Sequence, residues 1–124
     1  MNENLIKIKS AVRITDKEVF INKKRLPINA LSEDWLTSIY KTIGTTYPKF
    51  FKMDNLCKAG FLAAELCMKE SGHERREEGD PNWSVVIFNQ TSSLDNDQAY
   101  QKTIEDPQNY FPSPSIFVYT LSNI

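Results

Sequence analysis

The chain has 124 residues, enough for one domain with a real core, and its 40% hydrophobic and 25% charged content is that of an ordinary soluble globular protein. Fifteen basic residues against sixteen acidic give a net charge of −1, which excludes a strong one-signed field that would draw the whole chain to nucleic acid or to an anionic membrane. No apolar run approaches ~18 residues, and the opening MNENLIKIKS lacks an apolar core, which predicts a cytoplasmic protein with no membrane span and no signal peptide.

Residues 5–14 place Ile6, Ile8, Val12 and Ile14 in an alternating pattern, which predicts a half-buried strand. Val19–Ile21 reads as a second short strand, so 5–22 is expected to form a hairpin. Ser32 is expected to cap the next helix, with Glu33 and Asp34 in its first turn. Trp35, Leu36, Ile39, Tyr40 and Ile43 make one apolar stripe on it, and Gly44 ends it. Pro48 bars a continuous helix into the next element. Lys49 and Lys52 flank Phe50 and Phe51, but two lysines are too few for a phosphate footprint, so the phenylalanines read as core anchors.

Residues 47–72 form the organising stretch. Asp54 suits an N-cap and Gly72 suits the position after a helix end. Leu56, Cys57, Gly60, Phe61, Ala63, Ala64, Leu66, Cys67 and Met68 cover most of the circumference, while Ala59, Gly60, Ala63 and Ala64 allow close approach of another backbone. Such a helix is expected at 54–71, central and buried on more than one side, with Gly60 and Ala64 against a sheet.

Residues 73–82 are charged and rich in chain breakers, and His73, the lone histidine, reads there as a solvated side chain. Residues 83–89, WSVVIFN, read as a strand buried on both faces. Ser92 or Ser93 caps a further helix, with Asp95 and Asp97 in its first turn, Ala99, Tyr100 and Ile104 facing inward, and a stop at Asp106-Pro107. The acids do not form an EF-hand, because Tyr100 stands where the loop requires glycine. Residues 109–115 are a proline-stiffened loop, and Ile116, Phe117, Val118, Tyr119 and Thr120 read as a last strand.

The run YPKFFKMDNLCKAGFLAAEL, then WSVVIFNQTSSLDND, then PSPSIFVYTLSNI, resembles in order the N-terminal half of the β-ketoacyl synthase (3-oxoacyl-ACP synthase) family, of the thiolase-like superfamily. That family opens an Ala- and Leu-rich helix with a basic–aromatic–basic–Met–Asp run. A strand ending in small polar residues follows, and then a Ser–Pro–x–x–Phe segment that closes near a Leu–Pro–Asn turn, where this chain has Ser122 in place of proline. The resemblance covers about residues 47–124. It implies an α/β protein with a partial thiolase-like layered fold, a mixed β-sheet packed on the central helix, in a single synthase-like N-terminal domain over 1–124. It implies a setting in fatty acid or polyketide (aryl-polyene-like) assembly, with acyl carrier protein and a full-length ketosynthase as partners, or a homodimer. No nucleic acid and no membrane partner is implied.

Condensing acyl thioesters needs a thiolate at a helix N-terminus and paired donors for the enolate and oxyanion. The family's nucleophile and histidines fall beyond the last residue here, so the resemblance carries over no catalytic residue. Cys57 and Cys67 match helix positions instead. Ten residues of helix separate them by about 15 Å, too far for a disulfide. They are expected to be reduced and buried, with a raised thiol pKa and little reactivity. No catalytic, cofactor-binding or metal-ligating residue is assigned, and no cofactor is expected. The favoured reading is therefore a non-catalytic or truncated synthase subunit. The alternatives are a small α/β interaction module unrelated to synthases and a small hydrolase or transferase with an unrecognised site.

Overall fold

Short alternating segments and tight turns build a three-stranded antiparallel sheet in the order β1 (Val12–Ile14), β2 (Val19–Ile21) and β3 (Lys24–Leu26). The computed structural model describes residues 5–30, 32–73 and 78–121. It gives a small mixed α/β protein with four α-helices among the described residues: α1 (Trp35–Ile43), α2 (Asn55–Glu70), α3 (Leu94–Ile104) and α4 (Pro114–Val118). The chain divides into two compact units, Met1–Asp80 and Pro81–Ile124.

The first unit holds the sheet, α1 and α2. Val12 pairs with Ile21 and Ile14 with Val19, while Val19 also pairs with Leu26, so these apolar residues share one face. That face meets a core of Val19, Ile39, Tyr40, Phe50, Leu62 and Leu66. The predicted hairpin is present but shorter and extended by a third strand. Ile6 is fully exposed and Ile8 is 87% exposed, so pairing begins only at Val12. The sheet is antiparallel throughout, which corrects the expectation of a mixed sheet.

Helix α1 starts two residues later than expected. Asp34, not Ser32, is its N-cap, accepting from the Thr37 backbone N–H at 2.9 Å. Ser32 instead exchanges hydrogen bonds with the buried Ser38 hydroxyl, which donates to the Ser32 carbonyl at 3.0 Å and accepts from its N–H at 3.1 Å. A polar side chain in the core is thereby satisfied. Gly44 ends the helix in the left-handed region at φ 68°, as predicted. The indole N–H of Trp35 donates to the Thr15 carbonyl at 2.7 Å and ties α1 to the sheet.

Pro48 opens a 3₁₀ turn, Pro48–Lys52, rather than an irregular loop. Of the two expected anchors only Phe50 is buried, stacked on Tyr40 at 4.3 Å, and Phe51 stays exposed. Asp54 caps α2 through the Cys57 N–H at 2.8 Å. Gly72 follows its end at φ 72°, a conformation that disfavours a side chain. The helix is not buried on several sides. Only Leu62 and Leu66 are buried, while Gly60 and Ala64 are exposed, and a Cβ built on Gly60 would meet nothing within 4 Å. The expected close approach of a sheet to these small residues is therefore corrected: the sheet and α1 cover the opposite side of α2.

The second unit contains α3 and α4, joined by the Tyr100–Phe117 ring contact at 5.4 Å and by the Phe111 N–H donating to the Thr103 carbonyl at 3.0 Å. Asp95 and Asp97 occupy the first turn of α3, as expected. Ser93 stands at its N-cap, but its hydroxyl bonds the Asp97 carboxylate rather than a backbone N–H. Ala99, expected inside, is exposed. Two predicted strands are corrected. Residues 83–89 form no strand, and Val85, Val86, Ile87 and Phe88 are 71–90% exposed. The last predicted strand is instead α4, started by Pro114 with the Ser113 hydroxyl accepting from the Ile116 N–H at 3.3 Å.

Candidate functional site

The side chains with chemical potential lie along α2. Cys57 occupies the first turn beside its capping Asp54, and it is exposed, not buried as expected. Its thiol is pushed up to about 11, first by partial shielding of the sulfur and then by the hydrogen bond and charge of Asp54. A helix N-terminus alone would lower a thiol pKa, so here shielding and, after it, Asp54 set the direction. At pH 7 about one thiol in ten thousand is then ionised. The expected raised pKa is present, with an exposed residue and an acidic neighbour as its setting.

Cys67 lies in the last turns of α2, half-buried, and its carbonyl accepts from the Ser10 hydroxyl at 2.9 Å. His73 follows the helix end, half-buried, its backbone N–H donating to the Met68 carbonyl at 2.9 Å. Helix α2 rises about 20 Å from Cys57 to its end at Glu70, and His73 lies just past that end. The chain's one histidine and its exposed thiol thus stand at opposite ends of one rigid helix and cannot act as a nucleophile–base pair. Among the described residues no three His, Cys, Asp or Glu side chains are grouped to hold a metal ion. Four members of the charged loop, Glu74, Arg75, Arg76 and Glu77, and also Ser122, lie outside the described residues.

Two shallow open clefts are present in the first unit. One, about 270 Å³, lies between Ile21, Leu26, Ile43 and Leu66, with Lys69 and Glu70 at its rim. The Lys69 ammonium donates to the Ile43 carbonyl at 3.4 Å, and Glu70 accepts from the Asn22 amide at 3.4 Å, so the rim cation and acid both serve the fold. The other, about 310 Å³, lies on the outer face of the sheet over Ala11, Val12, Arg13, Phe20 and Lys23. Neither contains a nucleophile beside a base. Sequence reasoning missed this second surface, whose signal is the outward register of Arg13, Phe20 and Arg25.

No protein-family model, curated protein or solved structure matches the chain. No helix of the described residues is long and apolar enough to cross a membrane.

Proposed function

We propose that the chain is a non-catalytic β-ketoacyl-synthase-like subunit, cytoplasmic, serving fatty acid or polyketide (aryl-polyene-like) assembly beside acyl carrier protein and a full-length ketosynthase. The observation that carries this reading is the ordered resemblance of three segments: the helix opened by Lys52-Met53-Asp54, the apolar run 83–89, and the Ser113-Pro114-Ser115-Ile116-Phe117 segment. Two structural features support it. Shielding and, after it, Asp54 raise the Cys57 thiol, and His73 lies beyond the far end of α2, so the described residues offer no thiolate with paired donors. The face of α2 bearing Gly60 and Ala64, and the exposed residues Val85 to Phe88, are apolar surfaces that a thiolase-like layering with a partner would cover.

The antiparallel sheet of residues 12–26, packed on α1 and α2 with its own core, favours a second reading, a small α/β interaction module unrelated to synthases. The activity claim is tested by incubating the purified chain with acyl and malonyl carrier-protein thioesters and following 3-oxoacyl product by mass spectrometry. No product is expected. Product that disappears in Cys57→Ala would make the chain a condensing enzyme.

A further inference from the structure

The sequence places its charge unevenly. Between Leu5 and Leu26 there are seven basic residues and two acidic, whereas the rest of the chain carries eight basic and fourteen acidic. The sheet concentrates part of that excess. Phe20 pairs with Arg13 on one side and Arg25 on the other, so the three lie in one row across the strands. Their neighbours Val12, Ile14, Val19, Ile21 and Leu26 pack on the core, so the row points away from it. The Arg13 guanidinium sits 4.6 Å from the centre of the Phe20 ring, and Lys23 lines the same outer cleft.

We infer that this outer sheet face docks an acidic helix of a partner protein, one carrying carboxylates two turns apart. The spacing argues for it. Arg13 and Arg25 are two strand separations apart, about 9.6 Å, and seven residues of helix rise about 10.5 Å. Phe20 lies half-buried between them under the Arg13 guanidinium, so the two cations make the contact, and each guanidinium takes a carboxylate in two parallel bonds. Among the described residues Arg25 pairs with Glu18, at 3.3 Å, in an exposed pair that contributes little and exchanges readily for a partner's acid. Single-stranded nucleic acid fits less well: it needs open aromatic faces for its bases, and Arg13 already covers the Phe20 ring. The inference rests on charge and register and is independent of the synthase reading.

The test uses the full chain and fluorescence anisotropy with three labelled probes at two salt concentrations. They are a helical peptide with Glu pairs spaced seven residues apart, the same peptide with Gln in their place, and a twelve-residue oligothymidylate. The expected result is binding of the Glu peptide that weakens with salt, with at least tenfold weaker binding by the Gln peptide and by the oligonucleotide. The Arg13→Glu/Arg25→Glu protein should lose about tenfold or more, from two surface ion pairs turned repulsive. Arg13→Gln/Arg25→Gln, which removes charge without reversal, should lose less and keep the parent circular dichroism and melting temperature. Equal binding of the Glu and Gln peptides, unchanged affinity in both variants, or tighter binding of the oligonucleotide would overturn the inference.

Discussion

Asp34 and Asp54 each accept a backbone N–H at the start of a helix, yet they act differently on what surrounds them. The Thr37 hydroxyl and N–H hold the Asp34 carboxyl below its ordinary range. A depressed carboxylate contributes stability that is present above its unfolded value, near 3.8, and is lost as pH falls through the lower folded value. Acid titration should therefore fray α1 only below about pH 4, and Asp34→Ala should lower the melting temperature at pH 7 while flattening that acid limb. Loss of an N-cap of this kind costs about 1 kcal/mol. At Cys57 shielding raises the thiol first, and Asp54 adds to it. Alkylation of Cys57 in the native chain should be slow at pH 7.5 despite its exposure, should accelerate toward pH 11, and should be several-fold faster in Asp54→Ala. Labelling as fast in the parent as in the variant would remove Asp54 as a contributor.

At the scale of elements, α1 and α2 were legible because local chemistry marks their ends: Gly44 and Gly72 in left-handed conformations, Asp54 as a cap, and an apolar stripe ending in Ile39, Tyr40 and Ile43. Burial of α2 was not legible. Small residues permit close approach but do not supply the partner, and the core takes only the side holding Leu62 and Leu66. Strand β3 was missed because its turn is made by Asn22 and Lys23, both at positive φ, and lysine is a weak turn signal beside the usual Asn-Gly. The β-branched and aromatic run Ile116-Phe117-Val118 reads as a strand, whereas in the molecule the Ser113 cap and Pro114 start a helix through it. The candidate site was legible only in part: the elevated thiol follows from the sequence, the exposure of Cys57 and the basic outer row of the sheet do not. Since Gly60 is an exposed mid-helix glycine with open space around it, Gly60→Ala should raise the melting temperature by about 4–8 °C, equivalent to about 1 kcal/mol of helix propensity. Leu62→Ala should do the reverse and cost about 2–5 kcal/mol, because Leu62 is fully enclosed in the core.

For the molecule as a whole, the apolar surface is distributed unequally between the units. Met1–Asp80 holds all six buried core residues, whereas in Pro81–Ile124 the described side chains are half-buried or exposed, including the run from Val85 to Phe88. An uncharged, β-prone segment left open is a pairing site for another chain. Val86→Asp should leave the helical circular dichroism and melting of the chain unchanged, since Val86 is 71% exposed, but should weaken association with the proposed synthase companion. The most direct test of that companionship is size-exclusion chromatography with light scattering on a mixture of this chain and a full-length ketosynthase from the same organism, at micromolar concentration. A single species whose mass includes both chains, and which separates into its components with Val86→Asp, is the result the account predicts; two species that elute at their separate masses with the unaltered chain would contradict it.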